Sequence, residues 1–251
     1  MCELCRAGAT HLCLERGRIG LSVFRGAFAR YTKIAAASCY RVPDDLDLRT
    51  AALCEPTAVA LHGVLRADVH PSGRVLVTGA GPIGLLTVAV FRAMGVEEIT
   101  VSEPNAKRRE LARAVGASTV VLPEEFVAPE LPMDVVNAPF DVAVECSGRP
   151  DAMELALAQL QRRGTLVLSG TGMRTPRFDP NRVILNELVI TGSCEYVADD
   201  YERALDLLAT RALPSDLLIE PDDVPLSGVQ RAMERLVAGE LAGKVLVSPT
   251  A

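Results

Sequence analysis

The sequence predicts an α/β protein built on a doubly wound parallel sheet, with a smaller β-rich segment before it. Three observations carry this. From residue 74 onward, short strands alternate with amphipathic helices. Those strands are apolar throughout rather than on every second residue, the mark of a sheet covered on both faces. The first strand also leads into a helix through Gly79, Gly81 and Gly84, a G-x-G-x-x-G turn.

Each element has its own warrant. Residues 1–60 read as short strands and turns; AFARYTKIAA (27–36) and CYRVPDD (39–45) have strand composition, the latter ending in a Pro-Asp turn. RVLVTG is a buried strand, and GPIGLLTVAVFRAMG a helix stopped by Gly95. EITVSEP is the second strand, NAKRRELARAVG a helix stopped by Gly116, and TVVL (119–122) the third strand. An irregular stretch with Pro123, Pro129, Pro132 and Pro139 precedes strand DVAVEC (141–146). DAMELALAQLQRRG reads as a helix, TLVLSG and ELVITGS (187–193) as strands. The end of the chain reads as helix YERALDLLATR, strand LLIEP, helix SGVQRAMERLVAG and strand KVLVSP.

Composition narrows the function. Apolar residues make up 49% of 251, with 4% aromatic and no tryptophan, so the core is built from Val, Leu, Ala and Ile. No apolar run reaches the ~18 residues that cross a bilayer, and no signal-peptide pattern opens the chain, so a cytoplasmic protein without membrane partners is expected. The net charge is −6 and the basic residues are scattered, the densest run being Lys107-Arg108-Arg109. No broad basic face for nucleic acid is expected. Cys39, Cys54, Cys146 and Cys194 stand alone in apolar surroundings and read as small core residues. Cys2, Cys5 and Cys13 are different: their C-x2-C-x7-C spacing offers three ligands to zinc, which takes four.

The glycine turn is the sharpest local signal. Gly79 permits the tight turn, Gly81 lets the backbone approach a pyrophosphate, and Gly84 lets the helix pack close to the sheet. Pro82 suits the first helical turn, and unpaired N–H groups there face the phosphates. Glu103 ends the next strand, 19 residues after Gly84, where a carboxylate accepts hydrogen bonds from an adenosine ribose and repels a 2′-phosphate. NAD is therefore expected over NADP, although an arginine among 107–109 could attract such a phosphate. S-adenosylmethionine enzymes use a related turn; the tight GAGPIG spacing favours the dinucleotide.

Four segments resemble one family. CELCRAGATHLC resembles the last three cysteines of a structural zinc lobe with the pattern C-x2-C-x2-C-x7-C. GAFARYTKI resembles a "GGFAEY" strand, CEPTAVALHGV an "EPLAVALHAV" linker, and DVAVECSG with GTLVLSGTG the later sheet strands. Together they resemble the zinc-dependent medium-chain dehydrogenase/reductases (alcohol dehydrogenases), in the polyol, threonine and butanediol dehydrogenase branch. The resemblance implies that the first structural cysteine, the catalytic cysteine and a "GHE" histidine lie upstream of Met1, so that the chain is expected to be N-terminally truncated. Residues 1–58 are then the remnant of a GroES-like catalytic domain, 59–193 the NAD-binding Rossmann domain, and 194–251 a segment packing back toward the catalytic domain.

The same resemblance implies site roles. Glu55, before Pro56, serves the catalytic zinc directly or through water; the alternative is a helix-start carboxylate stabilised by the dipole. Ile83, Glu103 and Arg108 contact the adenosine diphosphate half, with a solvent-facing role as the alternative for Arg108. Ser169, Gly170 and Thr171 border the nicotinamide. Tyr196 lines the substrate pocket, beside Glu195 where the branch tends to carry arginine. His62 reads as structural, and His11 as a poor candidate for a fourth zinc ligand. The implied activity is NAD-dependent oxidation of a small alcohol or polyol by hydride transfer at a zinc site, in a homodimer or homotetramer joined at the edge of the nucleotide domain. Lacking most catalytic zinc ligands, the chain itself is expected to bind NAD without turnover and to expose apolar surface. Two other readings compete: a non-catalytic dinucleotide module acting as sensor or scaffold, and a zinc-independent quinone-reductase relative, which the cysteine cluster and Glu55-Pro56 oppose.

Overall fold

The structure, a computed structural model, describes residues 2–17, 19–20 and 26–249. Short helices α1 (Glu3–Arg6) and α2 (Leu48–Ala51) precede the long α3 (Cys54–Ala67). Then follow β1 (Arg74–Thr78), α4 (Pro82–Ala93), β2 (Glu98–Ser102), α5 (Ala106–Ala114) and β3 (Thr119–Val121). The second half holds β4 (Phe140–Glu145), α6 (Pro150–Ala158), β5 (Leu160–Leu168), α7 (Pro180–Leu185) and β6 (Val189–Gly192). The chain closes with α8 (Ala198–Ala209), α9 (Ser215–Leu218), β7 (Val224–Pro225), α10 (Val229–Val237) and β8 (Val247–Ser248).

Strands β1 to β6 form one parallel sheet in the order β3-β2-β1-β4-β5-β6. The order reverses between β1 and β4, the switch point outside which ligands of open α/β sheets bind. The apolar strands explain the layering. Successive side chains on a strand point to opposite faces; Val75 and Val77 of β1 join one core with Leu61, Leu85, Phe91 and Ile99, while Leu76 joins the other with Phe140, Leu157 and Leu160. Both faces are therefore covered, as the continuous apolar runs require.

Several expectations are corrected. Residues 27–36 and 39–45 form bends and one 3-10 turn at Ala36–Ser38, not strands. A strand exists only where a neighbour takes up its backbone hydrogen bonds, and among the described residues none does so here; Phe28 and Tyr31 lie exposed. The helix of 151–164 stops at Ala158, because Leu160–Leu168 pairs with β4. Arg163, at φ +62°, takes up the register shift between Phe140 and Val142. LLIEP is not a strand: α9 occupies Ser215–Leu218, and Ile219 makes a single bridge to Lys244. KVLVSP shrinks to the two residues of β8, which pair with β7. Of the four lone cysteines, Cys54 is buried and Cys146 half-buried, but Cys39 and Cys194 are exposed and contribute nothing to the core.

Candidate cofactor and metal site

The glycine turn sits at the C-terminal end of β1, beside the switch point. Its three glycines are forced in different ways. Gly79 has φ +90°, a conformation that L side chains rarely adopt, and a Cβ on Gly84 would lie 1.9 Å from the carbonyl oxygen of Gly79. Gly81 is under neither constraint. Its φ is −69°, in extended backbone, and a Cβ there would meet nothing within 4 Å. Neither conformation nor internal packing requires glycine at 81, so the space above it is room for something outside the chain. Pro82 and Ile83 open α4, and Pro82 lacks only an N–H the first turn does not need.

Glu103 is buried, and its carboxylate accepts the backbone N–H groups of Ala80 at 2.7 Å and Asn105 at 2.8 Å. It thus joins the end of β2 to the glycine turn. Arg108 is half-buried on α5 and donates to the carbonyl of Leu236 at 3.1 Å, which ties α5 to α10; it is not turned to solvent. Arg109 donates to the carbonyls of Glu103 at 3.0 Å and Pro104 at 2.6 Å. Ser169, Gly170 and Thr171 follow β5, and the N–H groups of Ser169 and Gly170 donate to the Glu145 carbonyl at 2.9 and 2.8 Å. Three buried hydroxyls, those of Thr57, Thr78 and Ser193, have no partner among the described residues.

A second group of side chains gathers near the start of α3. Glu55 stands exposed on its first turn, and crowding by the chain around it lifts its carboxyl above the ordinary range, with Lys244 pulling the other way and Glu195 adding to the rise. Tyr196 is pushed up to about 12, by burial first and then by Glu55 and Glu195, so its hydroxyl stays a neutral donor. Glu195 forms an ion pair with Arg16, joining the cysteine segment to the turn before α8. Its backbone φ of +53° is unusual for a residue with a side chain. His62 Nδ1 lies 2.7 Å from Asp200 Oδ2 inside the contact of α3 with α8. His11 packs edge-on against His62, ring centroids 5.2 Å apart, and does not join the cysteines.

Cys2, Cys5 and Cys13 do converge. Their ligand atoms all lie within 4.8 Å of one another, with Cys2 Sγ 3.5 Å from Cys5 Sγ and 3.9 Å from Cys13 Sγ. Three thiols at this separation suit zinc in kind and spacing, and among the described residues a fourth ligand does not join them. Among the described residues this is the one such cluster, and Glu55 has no companion set of ligands. Spacing alone pointed to the cysteines, the glycine turn and Glu103. It did not reveal Arg16, Asp200 or Glu145. For Glu145 the signal was present, a carboxylate directly after the apolar run Val142–Val144; for Arg16 and Asp200, partners 179 and 138 residues away, none was.

A family model for zinc-binding dehydrogenases matches residues 82–210, just over half of the chain. The chain belongs to this zinc-binding dehydrogenase family. Within it, the relatives are those of the polyol, threonine and butanediol branch. The L-threonine 3-dehydrogenase of Idiomarina loihiensis is 32% identical over 252 residues, 98% of this chain and 72% of that protein. The (R,R)-butanediol dehydrogenase of Saccharomyces cerevisiae is 33% identical over 236 residues, 92% of this chain and 60% of that protein. The crystal structure of 2R,3R-butanediol dehydrogenase from Bacillus subtilis superposes with a TM-score of 0.85 at 26% identity, covering 96% of this chain and 69% of that one. A zinc-binding dehydrogenase from Sinorhizobium meliloti, bound to NADP, gives 0.84 at 30% identity over 98% of this chain and 72% of that one. The chain spans between 56% and 72% of the length of the curated relatives it matches. No helix among the described residues is long and apolar enough to cross a membrane.

Proposed function

We propose that this zinc-binding dehydrogenase binds NAD in the crevice at Gly79–Gly84 and serves the oxidation of a small alcohol or polyol to the corresponding carbonyl compound. The observation that carries the cofactor half is the open space above Gly81, where a glycine is needed by nothing inside the chain. A pyrophosphate lying there takes hydrogen bonds from the first turn of α4, whose N–H groups and dipole favour an anion. Ile83 then covers the phosphates, while Glu103 keeps lone pairs free for the ribose hydroxyls and repels a 2′-phosphate, which favours NAD over NADP. Arg108, held by Leu236, borders the adenosine end. Ser169, Gly170 and Thr171 border the nicotinamide.

NAD, when bound, would supply the acceptor for the hydride of the carbinol carbon, and the hydroxyl proton would pass to solvent, so that the alcohol is oxidised as NAD is reduced. Zinc, when bound at a catalytic site, polarises the alcohol oxygen and lowers its pKa. Glu55 offers a carboxylate to that site, and Tyr196, a neutral hydroxyl at neutral pH, offers a hydrogen bond to a substrate oxygen. Cys2, Cys5 and Cys13 offer three of the four ligands of a separate, structural zinc site, which is incomplete without a fourth. On this reading residues 1–58 belong to the catalytic domain, 59–193 to the nucleotide domain and 194–251 to the return toward the former. A second copy of the chain meets β6 edge to edge: Ile184, Leu185, Val189 and Ile190 all lie exposed beside an unpaired strand edge. The seven free thiols suit the reducing cytoplasm.

Calorimetric titration with NADH tests this. The wild type is expected to bind one NADH per chain. Gly81→Val is expected to melt as the wild type does and to lose at least about tenfold in affinity. Binding that survives Gly81→Val, or no binding by the wild type, overturns the reading. Butane-2,3-diol, xylitol or threonine offered with NAD and zinc then tests turnover by this chain: with Glu55 lacking companion ligands among the described residues, little or no NADH is expected.

A further inference from the structure

We propose that Glu145 is a positioning residue for the nicotinamide half of the cofactor, its buried carboxylate locking together the two turns that frame the ring. The proposal rests on the reading of 79–84 and 169–171 as the cofactor cradle. Glu145 ends β4 at the switch point and is entirely inaccessible to solvent, among the largest fully buried side chains. A carboxylate in such a place is costly unless hydrogen bonds surround it. They do: Oε1 accepts the N–H of Ser147 at 2.6 Å, the Ser147 hydroxyl, and the N–H of Gly148 at 3.0 Å, which Oε2 shares at 3.1 Å. The main-chain carbonyl of the same residue accepts Ser169 and Gly170. One residue therefore fastens the turn after β4 with its side chain and the turn after β5 with its backbone.

The fit between these turns leaves no slack. A Cβ on Gly170 would lie 2.3 Å from the Gly148 nitrogen and 2.7 Å from Glu145 Oε2, and one on Gly148, at φ +70°, would lie 2.2 Å from the carbonyl oxygen of Thr171. The turn held by Glu145 also abuts the glycine loop, since a Cβ on Gly79 would come within 2.8 Å of Ser147 Cβ. Glu145 thus acts through Ser147 and Gly148 on two walls of the crevice, at the end away from Glu103. The adenosine end has its own support in the Glu103 contacts and does not depend on Glu145.

Few charges face this carboxylate. Asp151 on α6 is paired with Arg149; β1 offers the unpartnered Thr78 hydroxyl, β5 apolar side chains, and the neighbouring Cys146 thiol is held neutral. Burial raises the Glu145 carboxyl above its ordinary range, against the pull of the Ser147 and Gly148 donors. As pH falls through that raised value the group takes up a proton, and an oxygen that accepted becomes a donor. The turns then loosen while the fold gains from neutralising a buried charge.

The test compares NADH with ADP-ribose, which lacks the nicotinamide, in calorimetric titrations of the full chain. Glu145→Gln is expected to melt near the wild-type temperature, bind ADP-ribose within about twofold and bind NADH at least about tenfold more weakly. Glu145→Asp, whose carboxylate is drawn back by about 1.5 Å, is expected to show the same selective loss to a smaller degree. In the wild type, NADH affinity is expected to fall as the pH is lowered through the raised Glu145 value while ADP-ribose affinity stays level; in Glu145→Gln both stay level. Equal losses for the two ligands, or none, overturn the proposal, and so does a wild-type pH profile that is flat for NADH. Failure of the wild type to bind ADP-ribose overturns instead the cofactor reading beneath it.

Discussion

Glu103 Oε2 accepts the backbone N–H of Ala80 at 2.7 Å, so the carboxylate that ends one strand closes the turn that follows another. The other oxygen accepts Asn105 N–H at 2.8 Å. A carboxylate has about four lone-pair sites, so two are left over, which the proposed function assigns to a ribose. Glu103→Ala is expected to leave the buried Ala80 N–H unpaired, at about 1–3 kcal/mol, and the half-buried Asn105 N–H at less, and to lower NADH affinity by about tenfold or more. NADPH affinity is expected to fall less, because a repulsive charge goes with the side chain. Denaturant unfolding and paired titrations check both; an unchanged ratio of NADH to NADPH affinity would show that this carboxylate does not discriminate the 2′ position.

The glycines separate folding from binding. Gly84→Ala would put a Cβ 1.9 Å from the carbonyl oxygen of Gly79, where only backbone can give way. A loss of about 3 kcal/mol or more of stability, or no soluble protein, is expected. Gly81→Ala, at a site with open space, is expected to cost less than about 0.5 kcal/mol. Urea midpoints of the two variants measure the difference.

How much of this was legible in the sequence follows from the range of the forces involved. The sheet and its helices were readable because β1, α4 and β2 are local patterns: apolar strand, glycine turn, amphipathic helix. The glycine turn and the cysteine triplet were readable because spacing along the chain sets their geometry. Residues 27–36 misled because β-composition does not supply a partner strand, and 159–164 because Leu160 and Arg163 suit either a helix or a strand until β4 fixes the register. The Arg16–Glu195 and His62–Asp200 pairs were invisible because only tertiary packing brings them together. Cys39 and Cys194 misled in the other direction, apolar neighbours in sequence being no guarantee of burial.

The thiols give a graded prediction. Burial pushes Cys54 up to about 11 and Cys146 up to about 12. The thiolate is the reactive form, so a raised value leaves little of it at neutral pH, and reactivity grows only as pH rises toward those values. Cys39 and Cys194 are exposed and are expected to react first with a maleimide. Cys2, Cys5 and Cys13 are expected to resist while zinc is bound and to react once a strong chelator removes it. Cys54 and Cys146 are expected to react only on unfolding. Peptide mapping by mass spectrometry reads all seven; early labelling of Cys2, Cys5 and Cys13 in zinc-loaded protein would count against the metal site.

Asp200 carries two duties in one buried carboxylate. It accepts the Val197 N–H at 3.1 Å, capping α8, and meets His62 Nδ1 at 2.7 Å, fastening α8 to α3. The His62 and Asp200 side chains are only 12% and 5% exposed, so neither is easily rescued by water. Removing one partner of such a pair is costly, because the other is left buried without compensation. Asp200→Ala is therefore expected to destabilise by about 3–5 kcal/mol, and Asp200→Asn, which keeps an acceptor for Val197, by less. His62→Phe leaves the carboxylate with the Val197 N–H alone and is expected to fall between them. In a double-mutant cycle the pair is expected to couple by at least about 1 kcal/mol. Strict additivity of His62→Phe and Asp200→Ala would mean that the short contact contributes nothing to holding the two helices together.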